Sequence, residues 1–116
     1  MALHGVDGAF FQRFAGQCEV DGRLPGEGGN ADIMQLRDEV LRVCRTSAEK
    51  AGRVFAIMYD VSGVPADRIE HVIKVDWVHL VRDLAVLDSP NYLREGGKPV
   101  IALWGLCTFL SIIMYH

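Results

Sequence analysis

Residues 53–65 read RVFAIMYDVSGVP. The apolar run from Val54 to Met58 is nearly continuous, so it reads as a strand buried on both faces, as in a parallel sheet. It delivers Tyr59 and Asp60 to its end and stops in Ser62-Gly63. Pro65 is suited to open a helix, because its missing N–H would be unpaired there anyway. This strand sets the frame for what lies on either side.

Upstream, Gly8 to Phe14 (GAFFQRF) is short and aromatic and follows a Gly-Val-Asp-Gly turn, which predicts a first strand. The next residues are glycine-rich and read as a loop from Gly16 to Gly29. A helix follows, with Asn30 or Asp32 as its cap. Its apolar spacing runs through Ile33, Leu36, Val40, Cys44, Ala48 and Ala51, and Gly52 stops it. Glu39, Arg42, Arg45, Glu49 and Lys50 form its expected solvated face. Downstream, Ile69, Val72, Ile73, Trp77, Leu80, Val81 and Leu84 make the stripe of a second helix, with Asp76 facing away from it. DSPNYLREGGKP is turn-rich, and Pro99 to Trp104 (PVIALW) reads as a third buried strand.

The order is strand, helix, strand, helix, strand. This predicts an α/β fold with a parallel sheet and right-handed crossovers. A parallel sheet places all its strand C-termini on one edge, where α/β folds and barrels hold their ligands. That edge is expected to collect Gln12, Arg13, Tyr59, Asp60 and Trp104. Each has a structural alternative. Asp60 can cap the turn at Ser62 or Gly63. Arg13 can pair with Asp60 or another acid, and Trp104 can pack in a core.

The chain of 116 residues, half of them hydrophobic, allows one domain. A net charge of −3 and the absence of a basic stripe argue against nucleic acid. Cys18, Cys44 and Cys107 are odd in number and form no CxxC, so they read as reduced, small apolar side chains. His71 and His79 sit eight residues apart on one helix, not at the i, i+4 spacing of a metal site, so no metal is expected. No nucleotide motif or other cofactor signature is present. The first residues lack the basic region and long apolar stretch of a secretory signal, leaving a cytoplasmic location as the default expectation.

GVDGAFFQRF, AEKAGRVFAIMYDVSG, DWVHLV and SPNYLREGGKPVIALWG occur in this order over residues 4–105. Together they resemble the glycoside hydrolase family 71/99-like proteins, the xylosidase/arabinosidase-like group related to endo-α-mannosidases. The resemblance implies a (β/α)8 barrel, of which residues 1–105 would supply three consecutive strands and two helices. It implies a carbohydrate substrate and glycosidic-bond hydrolysis. It transfers no catalytic residue, because the family's paired carboxylates lie on a later strand with no counterpart here. The substrate-binding candidates therefore remain Gln12, Arg13, Tyr59, Asp60 and Trp104, and activity is not expected of this segment alone.

After Gly105 the family pattern calls for a polar loop and another helix. Residues 106–116, LCTFLSIIMYH, are an apolar tail instead, as a gene fragment, an unspliced intron or a shifted frame would leave. Pro99 to Tyr115 carries no charge, and the tail could associate with a membrane, although a spanning helix wants about 20 residues. An open sheet with such a tail is expected to self-associate. The competing reading is a small non-enzymatic α/β interaction protein.

Overall fold

The computed structural model describes residues 2–18 and 31–106. Strand β1 (Gly8–Phe14) runs into a single helical turn, α1 (Ala15–Cys18). Helix α2 (Ala31–Ala51) leads to β2 (Val54–Asp60), and α3 (Ala66–Arg82) follows. A two-strand hairpin, β3 (Arg94–Glu95) and β4 (Lys98–Pro99), precedes β5 (Ile101–Trp104). The sheet is β1-β2-β5, with β2 central and both pairings parallel. The mixed α/β class and the parallel sheet expected from the alternating pattern are thus present.

Local chemistry accounts for the ends of the helices. Gly52 has φ +62°, and its neighbour Arg53 donates its N–H to the Ala48 carbonyl at 2.9 Å, closing α2. Pro65 stands at the N-cap of α3 with φ −56°.

The register fixes which side chains share a face. Phe11, Arg13, Ile57 and Tyr59 alternate with Gln12, Met58 and Asp60 along the paired strands. Arg13 and Tyr59 reach Asp38 of α2 and Asp76 of α3, so both helices cover that one face of the sheet. The core forms there from Phe55, Ile57, Leu41, Val72 and Leu80, with Tyr92 set edge-on to Phe55 and Trp77. The segment around Tyr92 extends the sheet beside the first half of β2, where Phe55 donates to Asn91 and accepts from Leu93.

Several expectations need correction. The buried row of α2 is Met34, Asp38, Leu41 and Ala48, whereas Ile33, Leu36, Val40 and Val43 are exposed. The apolar count agrees with the structure at Ala48, but in the first half of the helix it pointed to Ile33, Leu36 and Val40, whereas Asp38, paired with Arg13, lies on the buried side. Asp76 does not face away from its stripe; it is 0% exposed. Arg45 is half-buried and donates to the carbonyls of Leu84 and Ala85 instead of standing in solvent. The third strand is shorter than Pro99–Trp104 and is not buried: Ile101, Leu103 and Trp104 are exposed because β5 is an edge strand. Pro99 belongs to the hairpin, whose two-residue turn is Gly96-Gly97. Ala15–Cys18 is helical, so the predicted loop begins later, and its residues 19–30 lie outside the described residues.

Candidate functional site

Adjacent residues of β1 divide the polar side chains into two groups. Gln12 and Arg13 point to opposite faces of the sheet, as neighbours on a strand must. One group is closed under the helices, and the other is open at the C-terminal edge.

The closed group is built on Arg13, which is 4% exposed. Its guanidinium grips Asp76 with two bonds, Nε to Oδ2 at 2.5 Å and Nη2 to Oδ1 at 2.7 Å. Its third nitrogen donates to Asp38 Oδ1 at 3.0 Å. The Tyr59 hydroxyl donates to Asp76 Oδ2 at 2.7 Å. His79 extends the chain outward, with Nε2 at 2.7 Å from Asp38 Oδ2 and Nδ1 at 2.6 Å from Asp83 Oδ2. Both ring nitrogens face carboxylates, which calls for the doubly protonated imidazolium.

These contacts set the protonation states. Burial acts to lower the Arg13 pKa, but the hydrogen bond and charge of Asp76 outweigh it and hold the guanidinium charged. Burial and then Asp76 push Tyr59 up, so it stays a phenol and a donor. Cys18, whose thiol meets the Phe14 carbonyl, is pushed up to about 12 by burial and then by Asp76, which makes it unreactive. For His79 burial acts downward, while Asp38 and Asp83 together raise it. Arg13 and Tyr59 are both buried, and Arg13 takes the ion-pair alternative, with Asp76 and Asp38. The sequence placed them at the strand ends; the structure adds that they lie on the face the helices cover.

The open group is Gln12, Asp60 and Trp104. Gln12 Nε2 donates to Asp60 Oδ2 at 2.8 Å. Asp60 Oδ1 accepts from the Ser62 backbone N–H at 2.9 Å, so Asp60 caps its turn and also faces the edge. Trp104 is Asp60's register partner on β5 and is 61% exposed. Gly105 closes this corner at φ +93°, and a Cβ there would stand 2.9 Å from the Ser62 nitrogen. The Ser62 backbone N–H, the Ser62 side chain and Gln12 hold the Asp60 carboxyl below its usual range. It is therefore ionised at neutral pH and is a hydrogen-bond acceptor, not a proton donor.

Chemically, this edge offers an indole face for stacking, an anionic acceptor and a carboxamide. Asp60 is the one acidic residue in β1, β2 and β5. Glycoside hydrolysis ordinarily uses two carboxyl groups about 5 to 10 Å apart across the scissile bond. The three strands offer one carboxyl group, not two.

The chain matches no family model, no curated protein and no solved structure. Its functional reading therefore rests on its own residues.

Sequence reasoning did not place Asp38, Asp76 and His79 in this network. Their signal was present in spacing: Asp76 lies midway between Val72 and Leu80, four residues from each, inside the apolar row. An acid at such a position requires a buried cation, and Arg13 supplies it. Among the described residues, no group of three or more His, Cys, Asp or Glu side chains is placed to hold a metal.

Proposed function

We propose that this chain is a segment of a glycoside hydrolase-like (β/α) barrel whose open strand edge binds carbohydrate without hydrolysing it. The observation that carries this reading is the exposed Trp104 beside the Asp60–Gln12 pair at the C-terminal end of a parallel sheet. Sugar rings present apolar faces to an indole and hydroxyls to carboxylate and amide groups. Two helices on one face and an open opposite face also suit a barrel wall, whose C-terminal strand ends would carry the site. The sequence motifs over residues 4–105 add the resemblance to the family 71/99-like group.

The test uses the purified, folded chain with aryl glycosides and α-mannan-type oligosaccharides. Expected are no turnover and weak binding that quenches tryptophan fluorescence and is lost in Trp104→Ala. Turnover that disappears in Asp60→Asn would overturn the non-catalytic reading. Fluorescence unmoved by any saccharide would overturn the binding.

A second reading, a non-enzymatic interaction protein, draws support from a different surface. Leu36, Val40 and Val43 of α2 are exposed, and β1 is an edge strand among the described residues. Unpaired strand edges and exposed apolar patches favour self-association. A sharp monomer in size-exclusion chromatography at tens of micromolar without detergent would exclude that outcome; the figure is of the order at which exposed edges aggregate.

A further inference from the structure

Phe14, Asp60 and Trp104 stand side by side in register across the ends of β1, β2 and β5. Neighbouring strands lie about 4.8 Å apart, so this row sets a carboxylate one strand away from an aromatic residue on each side. Phe14 already carries a cation, since the Arg37 guanidinium lies 4.7 Å from its ring centroid. Arg37 also donates to Gln17 at 3.0 Å. Arg13 of β1 is bonded to Asp76 and Asp38 under the helices. Trp104, in contrast, is exposed. Asp60 has neutral partners: the Ser62 backbone N–H, the Ser62 side chain and Gln12. A carboxylate has about four acceptor sites, so Asp60 keeps capacity for a further donor. The open side of the row therefore presents an anion and an indole, with the Gln12 amide beside them.

We propose that this edge selects amino sugars, hexose units bearing a free ammonium, over neutral and acidic ones. The inference rests on the carbohydrate reading above and names its substrate class. An ammonium is drawn to the face of an indole, the best of the aromatic side chains for a cation. It carries three donors, and its bond to an ionised carboxylate is about twice as strong as one between neutral groups. A hexose stacked on Trp104 carries its ring substituents toward the neighbouring strand, where Asp60 stands. A hydroxyl of a neutral sugar makes the weaker, uncharged form of that bond. The carboxylate of a uronic acid brings a like charge against Asp60, which disfavours it.

The test is titration of the full chain by tryptophan fluorescence with oligomers of glucosamine, of N-acetylglucosamine and of galacturonic acid, matched in length. It is run at about pH 6, where an amino group is charged and a carboxylate is ionised. The glucosamine oligomer is expected to bind about three- to tenfold tighter than its acetylated counterpart, as an exposed cation–π contact and an exposed ion pair allow. The galacturonic acid oligomer should bind weakest, and added salt should narrow the differences. Asp60→Asn should bring the glucosamine and N-acetylglucosamine oligomers to equal affinity. Equal affinity of the native chain for those two would overturn the preference and leave the carbohydrate reading standing. A preference unchanged in Asp60→Asn would overturn its assignment to this edge. Tetramethylammonium binding as tightly as the glucosamine oligomer would make the edge a site for ammonium alone and overturn the sugar. Fluorescence unmoved by every oligomer would overturn both the carbohydrate reading and this inference. If Asp60→Asn fails to fold, salt dependence in the native chain decides, and a preference insensitive to salt would overturn the proposal.

Discussion

Gln12 and Arg13 are neighbours in sequence, yet they belong to opposite regimes. Arg13 enters a dry interior where every donor it owns must find an acceptor. Asp76, Asp38 and Tyr59 meet that demand, and the helices are rotated to deliver the acids. Gln12 enters an open edge where water competes for each bond, so its contact with Asp60 leaves both groups free to take another partner. The same polarity fixes structure on one face and is available for recognition on the other.

The sharpest way to break this contrast is to remove charge from the closed side. Arg13→Met should destabilise by about 3–5 kcal/mol, because Asp76 remains buried without its cation and Asp38 keeps only His79. Gln12→Met, one residue away, should leave the denaturation midpoint nearly unchanged. Urea unfolding of the two variants checks this, and equal losses would erase the distinction between the faces.

Gly105→Ala should cost about 1–3 kcal/mol, since it adds a Cβ against Ser62 at a backbone angle that L-residues rarely adopt. Thermal unfolding reads the loss. The same variant should weaken saccharide binding, because Trp104 and Asp60 are fixed around that corner.

The outer end of the closed group should titrate. His79 has a folded pKa raised above 6.5 by Asp38 and Asp83. Its stabilisation is therefore fully present below pH 6.5 and lost as pH rises through the folded value. Arg13 and Asp76 lie behind Asp38 in the same network, and Arg13 keeps its charge across that range. Denaturation midpoints measured across the neutral to mildly alkaline range should fall for the native chain and stay flatter for His79→Gln. A parallel fall in the variant would locate the titration elsewhere.

The smallest effect on stability is expected at the open edge. Asp60→Asn keeps an acceptor for the Ser62 N–H, so melting should be close to native. Saccharide binding should weaken, as titration by tryptophan fluorescence would show. A large drop in melting temperature would make Asp60 a structural residue alone.

The alternation of apolar runs with helical spacing was enough to read the strands β1 and β2, both long helices and the parallel sheet. Those features depend on local periodicity, which a single sequence carries. Asp60's bond to Ser62 was also readable, because it spans two residues. The rotation of α2 was not. Its apolar residues occupy more of the helix surface than the sheet can cover, so counting them selected Ile33-Leu36-Val40 where the structure buries Met34 and Leu41. Only the docking of Asp38 onto Arg13, 25 residues away, decided it. The exposure of Trp104 was likewise decided by β5's position at the edge of the sheet, which no property of IALW specifies. Sequence by itself determined the two long helices, the strands β1 and β2 and that polar groups would gather at the strand ends. Tertiary structure decided which of those groups were sealed and which were left open, because burial depends on the elements packed above each face and not on the residue's own neighbours in the chain.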